Sequence, residues 1–313
     1  MAILRLKPAY KDYIWGGTRL RSTFNKNYDG GRLAESWELS CHEDGLSVID
    51  GGIDGGKTLR QYIREKGKEV LGTNCRMEET LPVLIKLIDA ADDLSVQVHP
   101  DDRFAMAEEG EKGKTEMWYV IDCARGAFLY YGFSRTISER EFMERIKDRT
   151  LPEVLNKVYV KKGDVLLIEA GTIHAIGRDI MIAEIQENSN ITYRIYDYGR
   201  IGKDGRPRRL DIEKALRVTD RNPVVQKDSF SPHLAVSDYF TVDKLFLDGT
   251  HMKSAGGFAG RDSFTHFLFL DGEGSIQTRD DILRIRKGDS IFLPAGTGEY
   301  MLNGRMEALI TRV

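Results

Sequence analysis

Apolar residues in this chain fall in short runs: LPVLIKLIDA from Leu81, DLSVQVHP from Asp93, MWYVIDC from Met117 and DVLLIEAG from Asp164, each closed by Gly, Pro, Asp or Asn. Runs of about four to eight residues rich in Val, Ile, Leu and aromatics read as β-strands. A chain built mostly from them predicts a mainly β sandwich or barrel. Helical periodicity is confined to 58–70, 104–109, 138–147 and 211–218, the third opened by Ser-Glu-Arg-Glu in the manner of a capping box. Strands build the core and a few short helices decorate it.

One supersecondary unit occurs twice. KGDVLLIEAGTIHAI from Lys162 and KGDSIFLPAGTGEYM from Lys287 share Lys-Gly-Asp, an apolar strand and Ala-Gly-Thr at the same offsets. Both predict a tight turn, a buried strand and a second Gly-containing turn, as in jelly-roll hairpins. The chain has 313 residues, more than one hydrophobic core ordinarily serves, so the echo implies two lobes. A polar stretch over 220–231, containing Pro223, reads as the linker, giving a first lobe over 1–225 and a second over 226–313. His174 of the first copy corresponds to Glu299 of the second, so the second lobe is expected to bind no metal.

Candidate chemistry gathers in the first lobe. In DLSVQVHPDD, Ser95, Gln97 and His99 lie two apart, so an extended backbone turns them to one face while Val96 and Val98 face the other. A polar interior face needs hydrogen-bond partners or a metal to offset desolvation. Glu116 opens the next strand and His174 is expected to close a later one, so Gln97, His99, Glu116 and His174 form a candidate divalent-metal site. Two imidazoles and a carboxylate with a replaceable water suit one Zn2+ per chain. The same trio also holds non-haem iron in oxygenases, although Gln97 would fill a position an oxygenase leaves vacant. Each histidine has a bland reading as a turn or hydrogen-bonded residue, which is kept for His42, His233, His251 and His266 because they lack such neighbours.

Four motifs in this order, LSVQVHPDD from Leu94, GKTEMWYVID from Gly113, EAGTIHAIG from Glu169 and AEIQENSNITYRIYDYGR from Ala183, resemble the type I mannose-6-phosphate isomerase family of the cupin superfamily, in its short bacterial form. The similarity begins at KPAYKDYIWGGTRL from Lys7 and runs through essentially the whole chain. It implies a cupin double-stranded β-helix, or jelly roll. It also implies interconversion of mannose 6-phosphate and fructose 6-phosphate through a cis-enediol, with zinc on Gln97, His99, Glu116 and His174. The resemblance places Arg194 beside the reacting carbons as the stabiliser of the enediolate, and supplies Glu184 and Lys114 as acid/base candidates. Its phosphate contacts fall near Ser95 and Lys86, each of which also reads as an ordinary strand-end polar residue. Long-form members carry a large helical insertion that this chain lacks, and some place a histidine where Gly113 stands here.

Composition narrows the alternatives. Hydrophobic residues make up 41% and charged residues 30%, a globular balance, and the formal net charge of −3 provides no positive field for nucleic acid. Cys41, Cys75 and Cys123 form no CxxC pair, no secretory signal is evident and no run of about 18 apolar residues occurs, so a cytoplasmic protein without a membrane span is expected. The expected partner is a small sugar phosphate. Cupins often dimerise, but no apolar stripe marks an interface, so a homodimer stays open. Rival functions are a cupin iron oxygenase and a non-catalytic sugar-binding cupin.

Overall fold

The computed structural model describes residues 2–78, 80–202, 205–225 and 230–313. Part of the expected linker, 226–229, and with it the start of the second lobe, lies outside them. The architecture is three antiparallel sheets. A six-stranded sheet runs Val165–Ile168, Glu116–Cys123, Ile180–Glu187, Val83–Ala90, Glu35–Leu39, Ala9–Lys11. A five-stranded sheet runs Tyr193–Tyr196, Val96–Val98, His174–Ile176, Phe128–Phe133, Leu155–Tyr159. These two face each other as a jelly roll, the fold class expected from the sequence.

The third sheet has nine strands and is built mainly from residues 235–312, but Leu4–Lys7 and Val48–Ile49 complete it, Leu4 pairing with Phe292. A single hydrophobic cluster then runs between the six-stranded and nine-stranded sheets, from Leu4 and Ile85 to Leu268 and Leu309.

The central strands are buried on both faces, and this explains why their sequences do not alternate cleanly. In Val83–Ala90, Ile85 and Leu87 point into the core shared with the third sheet, while Ile88 and Ala90 join the interior of the jelly roll. The neighbouring strands divide likewise, with Met117, Tyr119, Met181 and Ile185 on one side and Trp118, Val120, Ile180 and Ile182 on the other. On the back of the five-stranded sheet, Val96 and Val98 pack with Phe142 and Ala215 from the helices Glu139–Lys147 and Ile212–Val218.

The repeated unit holds in detail. Gly163 and Gly288 take φ of +92° and +89°, Gly171 and Gly296 take +86° and +78°, the left-handed region that suits glycine. Gly163 N donates to Val120 O and Gly288 N to Phe269 O, both at 2.8 Å. Asp164 and Asp289 each accept from the amide three residues earlier. The copies part at the end of the motif: His174 is fully buried and Glu299 is exposed.

Three local expectations are corrected. The helix expected over 58–70 is Leu59–Lys66 followed by a short 3-10 turn Lys68–Val70, because Gly67 at φ +93° breaks it. Ser138 caps its helix through the Glu141 amide, but the Glu141 side chain turns to Arg135 and Arg145 instead of completing a capping box. The sequence also missed the helix Arg19–Phe24.

Candidate active site

Two rows of register partners face each other across the jelly roll. On the six-stranded sheet, Trp37, Lys86, Glu184 and Trp118 lie side by side on four adjacent strands. On the five-stranded sheet the row is Arg194, Gln97, His174, Tyr131. Residues more than 150 positions apart in sequence thus share one cavity of about 270 Å³, whose lining includes Lys86, Ser95, Gln97, Lys114, Glu184 and Arg194.

His174 opens its own short strand after the Gly171 turn and does not close the Val165–Ile168 strand as the sequence suggested. This places it beside Gln97 as a direct cross-strand partner. His99, Glu116 and His174 bring ligand atoms within 4.8 Å of one another, all fully shielded from solvent. His174 Nε2 lies 3.3 Å from Glu116 Oε1 and His99 Nε2 lies 3.6 Å from Glu116 Oε2. Each imidazole is fixed from behind: His99 Nδ1 donates to Ile191 O at 2.8 Å and His174 Nδ1 to Thr172 O at 2.9 Å. Both Nε2 atoms therefore turn a lone pair toward the carboxylate.

Burial pushes His99 well below its ordinary pKa and His174 down to about 4, so both imidazoles are neutral and able to ligate. His99 Nε2 and both Glu116 oxygens are buried without a hydrogen-bond partner. Such atoms are costly to leave unpaired, and a divalent cation among them removes that cost. Gln97 presents its amide to His174 Nε2 at 3.4 Å, and turning the amide over puts its oxygen at that point. These residues fit a metal, and among the described residues no second group of three such donors occurs.

Lys114 Nζ stands 3.0 Å from Glu116 Oε2, close enough for ion pairing though not aligned as a hydrogen bond, and 3.9 Å from Glu184 Oε1. Glu184 accepts from Lys86 Nζ at 3.0 Å and from Trp118 Nε1 at 2.9 Å. Burial opposes its charge, but Lys86 and Lys114 outweigh burial and hold its carboxyl below the usual carboxylate range. Burial likewise opposes the Lys86 cation, and the charges of Glu184 and Glu35 outweigh it, raising the Lys86 pKa. For Glu116 burial wins, helped by the charge of Glu184, and its pKa rises.

The approach to Glu116 is held at three consecutive amides. Gly113 N donates to Asp102 Oδ1 at 2.8 Å, Lys114 N to Pro100 O at 3.0 Å and Thr115 N to Glu187 Oε1 at 2.7 Å. A Cβ at Gly113 would lie 2.4 Å from the Asp101 carbonyl carbon, so no side chain fits at this position. Arg194 Nε donates to Ser95 Oγ at 3.1 Å. Sequence reasoning missed Trp118, Glu187, Asp102 and Arg208, because nothing in their local pattern shows which strand or loop lies opposite.

Comparison with known proteins bears on the family and the fold. Residues 3–119 match the family model "Phosphomannose isomerase type I, catalytic domain" and residues 232–313 match "Mannose-6-phosphate isomerase, cupin domain". Mannose-6-phosphate isomerase ManA of Bacillus subtilis is 35% identical over 321 residues, covering 99% of this chain and 98% of that protein. The crystal structure of the mannose 6-phosphate isomerase from Bacillus subtilis superposes over 100% of both chains with a TM-score of 0.91 and 31% identity. A zinc-bound mannose 6-phosphate isomerase, 17% identical and covering 99% of both chains, shares the fold with a TM-score of 0.77. The chain belongs to the type I mannose-6-phosphate isomerase family.

Proposed function

We propose that this protein interconverts D-mannose 6-phosphate and D-fructose 6-phosphate in the cavity between the two facing rows. The observation that carries this reading is the buried His99–Glu116–His174 cluster lying directly behind a cavity lined by Gln97, Lys114, Glu184 and Arg194, with Lys114 Nζ 3.0 Å from Glu116 Oε2. An oxygenase or a simple binder has no need of a lysine and a carboxylate in contact beside the metal ligands.

In the open-chain aldose the C2 proton is removed, an enediolate with a C1–C2 double bond forms, and the proton is returned to C1. The hydroxyl proton on O2 passes to O1, so atoms balance without any external reductant. Lys114 and Glu184, 3.9 Å apart, are the acid/base pair of this reading. Trp118 and Lys86 orient the Glu184 carboxylate. Arg194 is fixed by Ser95 and offers a cation to the enediolate oxygen, the kind of donor often worth about 3 kcal/mol. Gln97, His99, Glu116 and His174 would hold one Zn2+ per chain, which when bound supplies Lewis acidity to the substrate oxygens or to water.

Residues 1–225 are proposed as the catalytic lobe and 226–313 as the metal-free lobe, with Leu4–Lys7 and Val48–Ile49 stitching the two together. A cytoplasmic location is proposed from the free thiols of Cys41, Cys75 and Cys123. No helix among the described residues is long and apolar enough to cross a membrane.

The test is a coupled assay with mannose 6-phosphate, following fructose 6-phosphate with chelator and then with zinc restored. Chelator-sensitive turnover rescued by zinc is expected. No turnover with zinc, manganese or iron would overturn the reading.

A further inference from the structure

Glu187 ends the strand Ile180–Glu187, which also bears Glu184, and it is only 1% exposed. Its Oε1 accepts from Thr115 N at 2.7 Å, and its own amide donates to Thr115 O at 3.1 Å. Its Oε2 is buried with no hydrogen-bond partner among the described residues. The side chain it faces is Asp102, within hydrogen-bonding reach. Asp102 begins the helix Asp102–Glu108, three residues after His99, and its Oδ1 already accepts from Gly113 N at 2.8 Å. Lys114 N donates to Pro100 O at 3.0 Å. The joint formed by Glu187, Asp102 and residues 113–115 therefore ties together the chain leaving His99, the chain entering Glu116 and the strand bearing Glu184.

Two ionised carboxylates offer acceptors alone, whereas a protonated carboxyl has one O–H to donate, so two carboxyl groups close such a joint only when one of them keeps its proton. Asp102 is partly exposed and already takes an amide N–H. Glu187 Oε2 is the buried atom left without a partner, and a proton there removes that cost. We propose that Glu187 is a positioning residue for the catalytic pocket and that it acts in its protonated form, donating from Oε2 to the Asp102 carboxylate. Its effect on turnover rests on the isomerase reading of the neighbouring cavity.

The groups around Glu187 favour the proton. Burial raises its pKa, the Thr115 amide opposes burial, and the charge and side chain of Asp102 raise it again; Lys112 lowers it least, and the balance stands at about 8. Lys112 is itself paired with Glu78 Oε2 at 2.5 Å. Tyr239, on the same side, stays neutral, its pKa pushed up to about 12 by burial first and then by the charges of Glu187, Asp102, Asp238 and Asp101. When Glu187 ionises, two carboxylates face each other without a proton between them and the joint opens, releasing Asp102 from the strand that carries Glu184.

The experiment compares wild type with Glu187→Ala, Glu187→Gln and Asp102→Asn, measuring kcat for mannose 6-phosphate from about pH 6 to about pH 9.5 and urea midpoints at about pH 5 and about pH 8. Glu187→Ala is expected to lower kcat at least about tenfold, and Glu187→Gln, whose amide both accepts from Thr115 and donates to Asp102, recovers it to within about threefold of wild type. Wild-type kcat falls above about pH 8, and this alkaline limb is missing from Glu187→Gln, which cannot ionise. Asp102→Asn turns an N–H toward Glu187 Oε2, so the joint outlives ionisation and the limb is missing there too. The folded chain keeps a proton up to about pH 8 that the unfolded chain gives up near about pH 4.3, so this stabilisation is whole below the lower value and is lost as pH rises to the upper one. Relative to Glu187→Gln, the wild-type midpoint therefore drops by at least about 0.5 M urea between about pH 5 and about pH 8. If Glu187→Ala does not fold, Glu187→Gln and Asp102→Asn carry the comparison. An alkaline limb absent from wild type, or unchanged in Glu187→Gln, would overturn the positioning role; a midpoint difference equal at both pH values would overturn the proton. Wild type that turns over no mannose 6-phosphate yet shows the midpoint shift sinks the isomerase reading and upholds the protonated joint.

Discussion

Lys86 and Glu184, 98 residues apart in sequence, are direct register partners on neighbouring strands, and their charged groups meet at 3.0 Å with both side chains about 95% buried. Breaking a buried pair leaves an uncompensated charge, so Lys86→Met should destabilise the fold by about 3 kcal/mol and lower kcat by releasing Glu184. Urea unfolding and steady-state kinetics check this, and an unchanged midpoint would show that the pair contributes little.

The histidines define the metal prediction. His99→Ala and His174→Ala should each lose bound metal and turnover together, because each removes a buried neutral imidazole whose other nitrogen is fixed by a backbone carbonyl. Elemental analysis after dialysis decides the matter; a full equivalent of zinc retained in either variant would remove that residue from the ligand set.

Arg194→Ala should keep metal and melting temperature yet reduce kcat by about 10²-fold or more, if its guanidinium meets the enediolate. Near-normal kcat with a raised KM would move Arg194 from the chemistry to the binding of the substrate.

His266 is buried in the third sheet with Nε2 2.9 Å from Ser290 Oγ, and burial alone lowers its pKa to about 3. The unfolded chain, with a histidine pKa near 6.5, binds a proton that the folded chain refuses, so stability is fully present above about pH 6.5 and falls as pH drops toward 3. Between pH 7 and 5, wild type should lose about 2 kcal/mol more than His266→Gln, read from urea midpoints at the two pH values. Equal losses would mean that His266 titrates normally.

Glu299→Ala should leave activity and metal content unchanged, since Glu299 is exposed where its counterpart His174 is buried. A large loss of turnover would bring the second lobe into the catalytic cycle.

Much of this protein was legible along the chain because its signals are local. The strand rhythm depends only on runs of β-forming residues, and the twofold repeat on identical offsets, so both emerged before any contact was known. The spacing of Ser95, Gln97 and His99 likewise fixes one equipped face by backbone geometry alone. The Gly171 turn was less legible, since whether a chain continues or restarts its strand after such a turn depends on the partner waiting for it. That partner is the Gln97 strand, which makes His174 the start of a new strand.

The sequence by itself determined the fold class, the two-copy organisation and the metal-ligand candidates, because each rests on periodicity, spacing or a motif carried within a short segment. Only the tertiary structure decided what stands opposite what. Trp118 reaches Glu184, Asp102 and Glu187 hold the Lys114 loop, and Arg208 returns to Ser95 through strand register and loop closure. These pairings join residues up to more than 100 positions apart, and their energies exist only after the chain has closed the loops between them.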